Sequence, residues 1–255
     1  MIVCKSPGEI ERMRVANALV ARVLAELAET VAPGVTTRDL DALAEKLVRA
    51  GGAEPAFKGY RGYPATLCAS VNEQVVHGIP SARPLDEGDI VSLDMGVKLN
   101  GFYGDSAITV PVGEVSPEVR RLLQATQAAL QQGISQVRVG GRISDIGHAI
   151  QRHVESEGFS VVREFVGHGI GSALHEEPQI ANYGEPGRGP RMAEGMVLAI
   201  EPMVNMGRPA VKVLSDGWTA VTRDGSLSAH FEHTVAVTKD GPLVLTMRSA
   251  TTSVS

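Results

Sequence analysis

Apolar side chains recur at steps of three and four from residue 7 to 30. Ile10, Met13, Val20, Leu24 and Leu27 share one face, Asn17 is a polar interruption in it, and the spacing predicts an amphipathic helix. A second helix is predicted from Thr36, which forms a capping-box-like pair with Asp39, to the Gly51-Gly52 stop, with Leu40, Leu43 and Leu47 as its buried stripe. Ser116-Pro117 reads as N-cap and first residue of a third helix that closes at Gly133. A fourth runs from about Ile143 to Gly158 with Ile143, Ile146, Ile150 and Val154 inward. Strand-like sequence follows each pair: ATLCASVNEQVVHG, DIVSLDMGVKL and FYGDSAITV after the first, SVVREFVGHG, MVLAIEPMVN and HFEHTVAVT after the second.

The two helix pairs read as copies. An offset of 106 residues superposes Arg14 on Arg120, Leu24 on Leu130, Gly34 on Gly140, Asp39 on Asp145 and Gly52 on Gly158. The predicted class is α/β of the α+β type: two ααβββ-like halves, about 7–110 and 113–240, with antiparallel sheet covered by helices. NYGEPGRGPRMAEG (182–195) reads as a loop and RSATTSVS (248–255) as a flexible tail. No linker is long enough to separate independent domains, so 1–255 is expected to be one catalytic domain.

Composition narrows the classes. Hydrophobic residues at 43% and charged residues at 21% exclude a disordered chain or a coiled-coil rod. A net charge of −5 without basic blocks gives no electrostatic reason to expect nucleic acid or an anionic membrane as partner. Cys4 and Cys68 are too few and too far apart for a disulfide framework. The charged start MIVCKSPGEIERMR does not resemble a signal peptide, and no run approaches the ~18 apolar residues of a membrane span. A soluble cytoplasmic monomer is expected.

The chemical anomaly is acid inside apolar strands. Asn100-Gly101 is a strong two-residue hairpin signal, which would place Leu99 opposite Phe102 and Gly96 opposite Asp105. Asp94 and Asp105 would then be diagonal neighbours on one face, roughly 7–8 Å apart at Cα. Glu201 after MVLAI and Glu232 within AHFEHTVAVT repeat the oddity. For any one acid a solvent-facing position is the common explanation, but four in matched halves, with only Lys98 close by, call for another. Buried like charges cost several kcal/mol each unless neutralised; two divalent cations would balance four carboxylates, and a neutral imidazole from His168 or His175 in GHGIGSALHEEP could complete the shell. His148 and His153 read as packing or surface residues, while His230 and His233 stay undecided. GHGIG also mimics a phosphate loop, but no helix opens after it.

Taken in order, YRGYPATLCASVNEQVVHGIP, DIVSLDMGV with GFYGDSA, GHGIGSALHEEPQI, MVLAIEPM and SAHFEHTVAVT resemble the methionine aminopeptidases over nearly the whole chain. The resemblance implies the duplicated pita-bread scaffold and two divalent ions (Co, Mn, Fe(II) or Zn) held by Asp94, Asp105, His168, Glu201 and Glu232, with Asp105 and Glu232 bridging. It further implies that His77 lies near the scissile nitrogen, that His175 lies near the carbonyl oxygen, and that Glu201 acts as general base. Tyr60, Tyr63, Cys68 and Trp218 would form the methionine pocket. Leu174 stands where an aromatic is familiar. With 31 residues between Glu201 and Glu232, the chain resembles the short bacterial type. The implied substrates are nascent peptides starting with Met and having a small second residue; ribosome association would follow from that substrate. The alternatives are a dinuclear aminopeptidase of Xaa-Pro type and a non-catalytic pita-bread binding protein.

Overall fold

The computed structural model describes residues 1–247, so the tail predicted at 248–255 lies outside the described residues. Helix α1 spans Pro7–Thr30, with Glu9 reaching back to the Ser6 amide (2.7 Å). Helix α2 spans Thr37–Ala50; the Thr36 hydroxyl accepts from the Asp39 amide and the Asp39 carboxylate accepts from the Thr36 amide, both at 3.1 Å. Its fully buried row is Leu40, Ala44 and Val48, a one-turn repeat, and Leu43 and Leu47 flank it half-buried. Of the predicted leucine stripe, Leu40 therefore lies at the centre of the contact with the smaller Ala44 and Val48, while Leu43 and Leu47 shield its edge.

Helices α3 (Pro117–Ile134) and α4 (Ile143–Ser156) repeat this arrangement. Both ends of α4 stand 106 residues after those of α2, and Asp145 accepts from the Arg142 amide as Asp39 does from Thr36. The matched glycines agree in conformation: φ is 89° at Gly34 and 84° at Gly140, 74° at Gly52 and 81° at Gly158. Left-handed backbone at both pairs is a reason for glycine there that shared helix composition does not supply. The duplication is thus present in the backbone.

In the first half, Ile90–Leu99 pairs with Phe102–Pro111 on one side and with Leu67–Val71 and Glu54–Pro55 on the other. Helices α1 and α2 bury Val20, Leu24, Leu27 and Leu40 against Leu93, Met95 and Val97 of this sheet. In the second half, a five-stranded antiparallel sheet runs Gly241–Val244, His233–Thr238, Val197–Ile200, Gly167–Gly169, Glu176–Ile180. Helices α3 and α4 share a core with its Leu198, Ile200, Val235 and Val237. Two three-stranded sheets join Ser228–His230, Met203–Asn205 and Ser160–Val161, and Val211–Val213, Ala220–Thr222 and Gln74–Val76. Strands such as Glu54–Pro55 and Glu176–Ile180 escape the period-two pattern because they are short and largely polar.

The halves are sewn together along Phe102–Pro111. Glu232 N–H donates to Ala107 O (2.9 Å), the Ser106 hydroxyl to Glu232 O (2.6 Å), the Thr234 hydroxyl to Asp105 O (2.7 Å) and His230 N–H to the Thr109 hydroxyl (2.8 Å). This seam fixes Glu232 of one half against Asp105 of the other. Among the described residues no helix is long and apolar enough to cross a membrane.

Candidate active site

The Asn100-Gly101 turn has φ of 52° and 83°, the two left-handed residues of a type I′ hairpin, and sets the register that its sequence predicts: Leu99 opposite Phe102 and Gly96 opposite Asp105. Asp94 and Asp105 therefore share a face. Helix α1 crosses the hairpin closely enough that a Cβ on Gly104 would sit 3.0 Å from the backbone of Ala16 and Asn17. Asn17, the polar interruption in the α1 stripe, is fully buried there; its Oδ1 accepts from Asp105 N–H (3.3 Å) and its Nδ2 donates to Met13 O (2.9 Å). Asn17→Ala orphans a buried amide and is expected to cost about 1–3 kcal/mol. Urea unfolding measures it, and a change below about 0.5 kcal/mol would show that the amide finds another acceptor.

His168 lies on Gly167–Gly169, flanked by glycines whose Cβ atoms would run into Ala199 O and Glu177 O. Its Nδ1 is 2.9 Å from Gly169 O; a carbonyl only accepts, so Nδ1 carries the proton and Nε2 keeps its lone pair. That Nε2 points toward Glu201 Oε1 at 3.5 Å. Glu201 follows Val197–Ile200, and Asn182 Nδ2 donates to its carbonyl at 3.0 Å. Glu232 turns the corner between Ser228–His230 and His233–Thr238.

These side chains converge. One donor atom each of Asp105, His168 and Glu232 lies within 4.8 Å of the others, all three residues are buried, and Asp94 and Glu201 line the same cavity of ≈ 170 Å³. Asp94 Oδ1, Asp105 Oδ1 and Glu232 Oε1 are buried without a hydrogen-bond partner. Burial pushes Asp94 up to about 7. Asp105, Glu201 and Glu232 are raised well above the carboxylate range, by burial first and then by one another's charges and that of Asp94. Burial, with His175 adding to it, lowers His168 to about 4 and so keeps it neutral. Orphaned acceptors, mutually repelling carboxylates and a neutral imidazole with a free nitrogen fit a divalent-cation site.

Tyr60, Tyr63, Cys68, His77, His175 and Trp218 line the same cavity, as does Leu174, so all the predicted site residues meet in one place. Tyr63 is pinned by its hydroxyl, which donates toward Leu67 O and Gly78 O (both 3.0 Å), and Trp218 meets it edge-on at 5.1 Å. Cys68 is buried and pairs in register with Asp94; burial first, then the Asp94 charge, raises its thiol, which does not suit a nucleophile. His77 has φ +59°, strained for a side-chain-bearing residue, and meets Phe165 and Trp218 edge-on. Burial, then His175, lowers it to about 4. His175 Nδ1 lies 2.9 Å from the Tyr60 hydroxyl, with its ring 4.3 Å from that of His168; burial, then Arg61, lowers its pKa.

Phe57 and Arg61 also line the cavity and carry no sequence signal for it. Of the undecided histidines, His230 is buried with its Nε2 3.9 Å from Glu201 Oε2, while His233 turns away to the Thr246 hydroxyl (2.8 Å). His148 and His153 are half-buried beside a separate surface groove, within the packing-or-surface reading.

The model of metallopeptidase family M24 matches residues 11–239. The chain belongs to this family. As an M24 metallopeptidase it is a hydrolase, and its relatives agree. Methionine aminopeptidase 1 of Bacillus subtilis is 53% identical over 246 residues, 96% of this chain and 99% of that protein. The crystal structure of methionine aminopeptidase from Rickettsia prowazekii superposes with a TM-score of 0.96 at 44% identity, over 97% of this chain and all of that one. The Thermotoga maritima methionine aminopeptidase gives the same TM-score at 48% identity and the same coverage. The M24 chain thus has the pita-bread fold anticipated from its motifs.

Proposed function

We propose that this M24 chain removes the N-terminal methionine of nascent polypeptides in the cytoplasm by hydrolysing the first peptide bond, favouring a small second residue. One observation carries the reading: a carboxylate–imidazole cluster with orphaned oxygens opens into the same small cavity as an apolar wall of Tyr63, Cys68 and Trp218. Asp94, Asp105, His168, Glu201 and Glu232 would hold two divalent ions of the Co, Mn, Fe(II) or Zn type. When bound, such ions make water acidic enough to act at neutral pH and draw charge off a carbonyl oxygen.

The chain's own residues supply the rest. The apolar wall takes the methionine side chain, whose thioether suits aromatic edges and a neutral thiol. Glu201, beside His168 and His230, takes the proton of the attacking water. His175, held by the Tyr60 hydroxyl, donates to the oxygen that becomes negative, and His77 orients the scissile nitrogen. Work on emerging chains would place the enzyme near the ribosome.

Release of free methionine from Met-Ala-Ser tests the proposal: it should vanish on chelation and return with Co²⁺ or Mn²⁺. Cleavage of Xaa-Pro peptides in preference to Met-Ala-Ser would favour the Xaa-Pro alternative. Bound metal with no cleavage of either would favour a binding protein. His77→Ala and His175→Ala should each lower kcat about 10²-fold or more with metal content unchanged. Loss of metal in either would show a ligand mistaken for a partner of the substrate.

A further inference from the structure

Among the described residues Lys5 is the one lysine or arginine that is buried, at 6% exposure. Its ammonium donates to Glu176 Oε2 at 2.5 Å and to Val3 O at 3.0 Å. The pair lies outside the catalytic cavity, and its partners stand 171 positions apart in the chain. A buried ion pair is a poor source of stability because both charges must leave water, so the placement asks what else it secures.

What it secures is the segment carrying His175. Residues 170–175 link two short strands without regular structure of their own. Glu176 Oε1 accepts from the Ala173 amide at 3.1 Å while Oε2 takes Lys5, so one carboxylate ties the middle of the bend to the segment before α1. Tyr103 N–H holds Gly171 O at 2.9 Å. A Cβ on Gly171 would run into Lys5 Cε and Glu176 Oε1, and one on Gly195 would run into Lys5 O. Lys5 N–H donates to Gly195 O at 2.6 Å. The N-terminal segment therefore threads between two glycines, with its ammonium against the bend.

We infer that Lys5 is a positioning residue for the reaction, holding His175 through Glu176 at its place beside the Tyr60 hydroxyl and the His168 ring. The inference rests on the role of His175 given under Proposed function. A misplacement of about 1 Å in a reacting group costs on the order of 10²-fold in rate. Lys5 also lies before α1, so the start of the chain becomes part of the active-site support rather than a lead-in to the first helix.

The test compares Lys5→Met, Lys5→Arg and Glu176→Gln in the metal-loaded full chain, reading kcat and KM on Met-Ala-Ser and the His175 imidazole resonance by NMR, assigned through its loss in His175→Ala. Lys5→Met is expected to lower kcat about 10- to 100-fold with KM within about threefold and metal content unchanged, and to shift or broaden the His175 signal. Lys5→Arg, which keeps the charge, should restore most of kcat. A folded Lys5→Met with wild-type kcat and an unmoved His175 signal overturns the inference, as does a change confined to KM. If Lys5→Met does not fold, Glu176→Gln carries the same readings, because Gln keeps an acceptor for the Ala173 amide. Should the parent chain release no methionine at all, it is the proposed function that fails, and the NMR signal still decides the positioning.

Discussion

Replacing Asp105 by Asn is expected to lower metal-restored methionine release by at least about 10³-fold while making the metal-free protein more stable than its parent. The two effects have opposite signs because the same carboxylate serves the ions and opposes the fold. Asp105 is 4% exposed, its Oδ1 has no partner, and the charges of Asp94 and Glu201 bear on it. Losing a proposed bridging ligand removes several kcal/mol of transition-state stabilisation, and each ~1.4 kcal/mol is tenfold in rate. Without metal, the neutral amide relieves repulsion among the four acids and can donate to the orphaned oxygen of Glu232 or Asp94. Isothermal titration with Mn²⁺ and thermal unfolding in chelator read the two effects separately. Retained metal and activity would remove Asp105 from the ligand set. A less stable metal-free variant would mean that the carboxylate is there for the fold.

Local chemistry is legible in the sequence wherever short-range rules decide the structure. The Asn100-Gly101 turn sets the register of Ile90–Leu99 on Phe102–Pro111, and the register alone puts Asp94 and Asp105 on one face. The Thr36–Asp39 capping pair places α2, and the apolar spacing places α4, to within a residue or two, and the 106-residue offset reappears as matched left-handed glycines. Contacts between distant regions of the chain are not legible. Asn17 is a flaw in a helical stripe until the Asp105 amide, 88 residues away, is brought to it. Glu176 gives no hint of Lys5, nor Phe57 and Arg61 of the cavity, because their neighbours are set by how the sheets pack. In α2 the expected stripe holds at Leu40, but weighting leucine over position puts Leu43 and Leu47 where Ala44 and Val48 complete the buried row. The roles of His77 and His175 come through family resemblance, and the structure adds the reach of each into the cavity.

From about pH 6.5 to 8.5 the metal-free protein is expected to lose stability as pH rises, and the metal-loaded protein is not. Burial holds Asp94 up to about 7 and Asp105, Glu201 and Glu232 well above the ordinary range, whereas in the unfolded chain all four ionise near pH 4. Above that, the folded state keeps protons that the unfolded state has released. Stability is therefore full below the unfolded values and drains away as pH climbs through the folded ones. The buried histidines act in the other direction. Burial lowers His77, His168 and His233 to about 4 and His230 to about 3, so their cost develops only below about pH 6.5, where the unfolded chain would protonate them. Above that pH the carboxylates dominate, joined in the same direction by the buried Cys68 thiol near the top of the window, and the expected loss is of the order of a few kcal/mol. Divalent ions replace the protons and give the ionised carboxylates partners, so the loaded protein should hold its melting temperature across the window. Calorimetric melts at three pH values, in chelator and in Mn²⁺, measure the gap, which should widen toward pH 8.5. A metal-free melting temperature that rises instead would mean that these strand faces are solvated, and the case for a divalent centre would go with it.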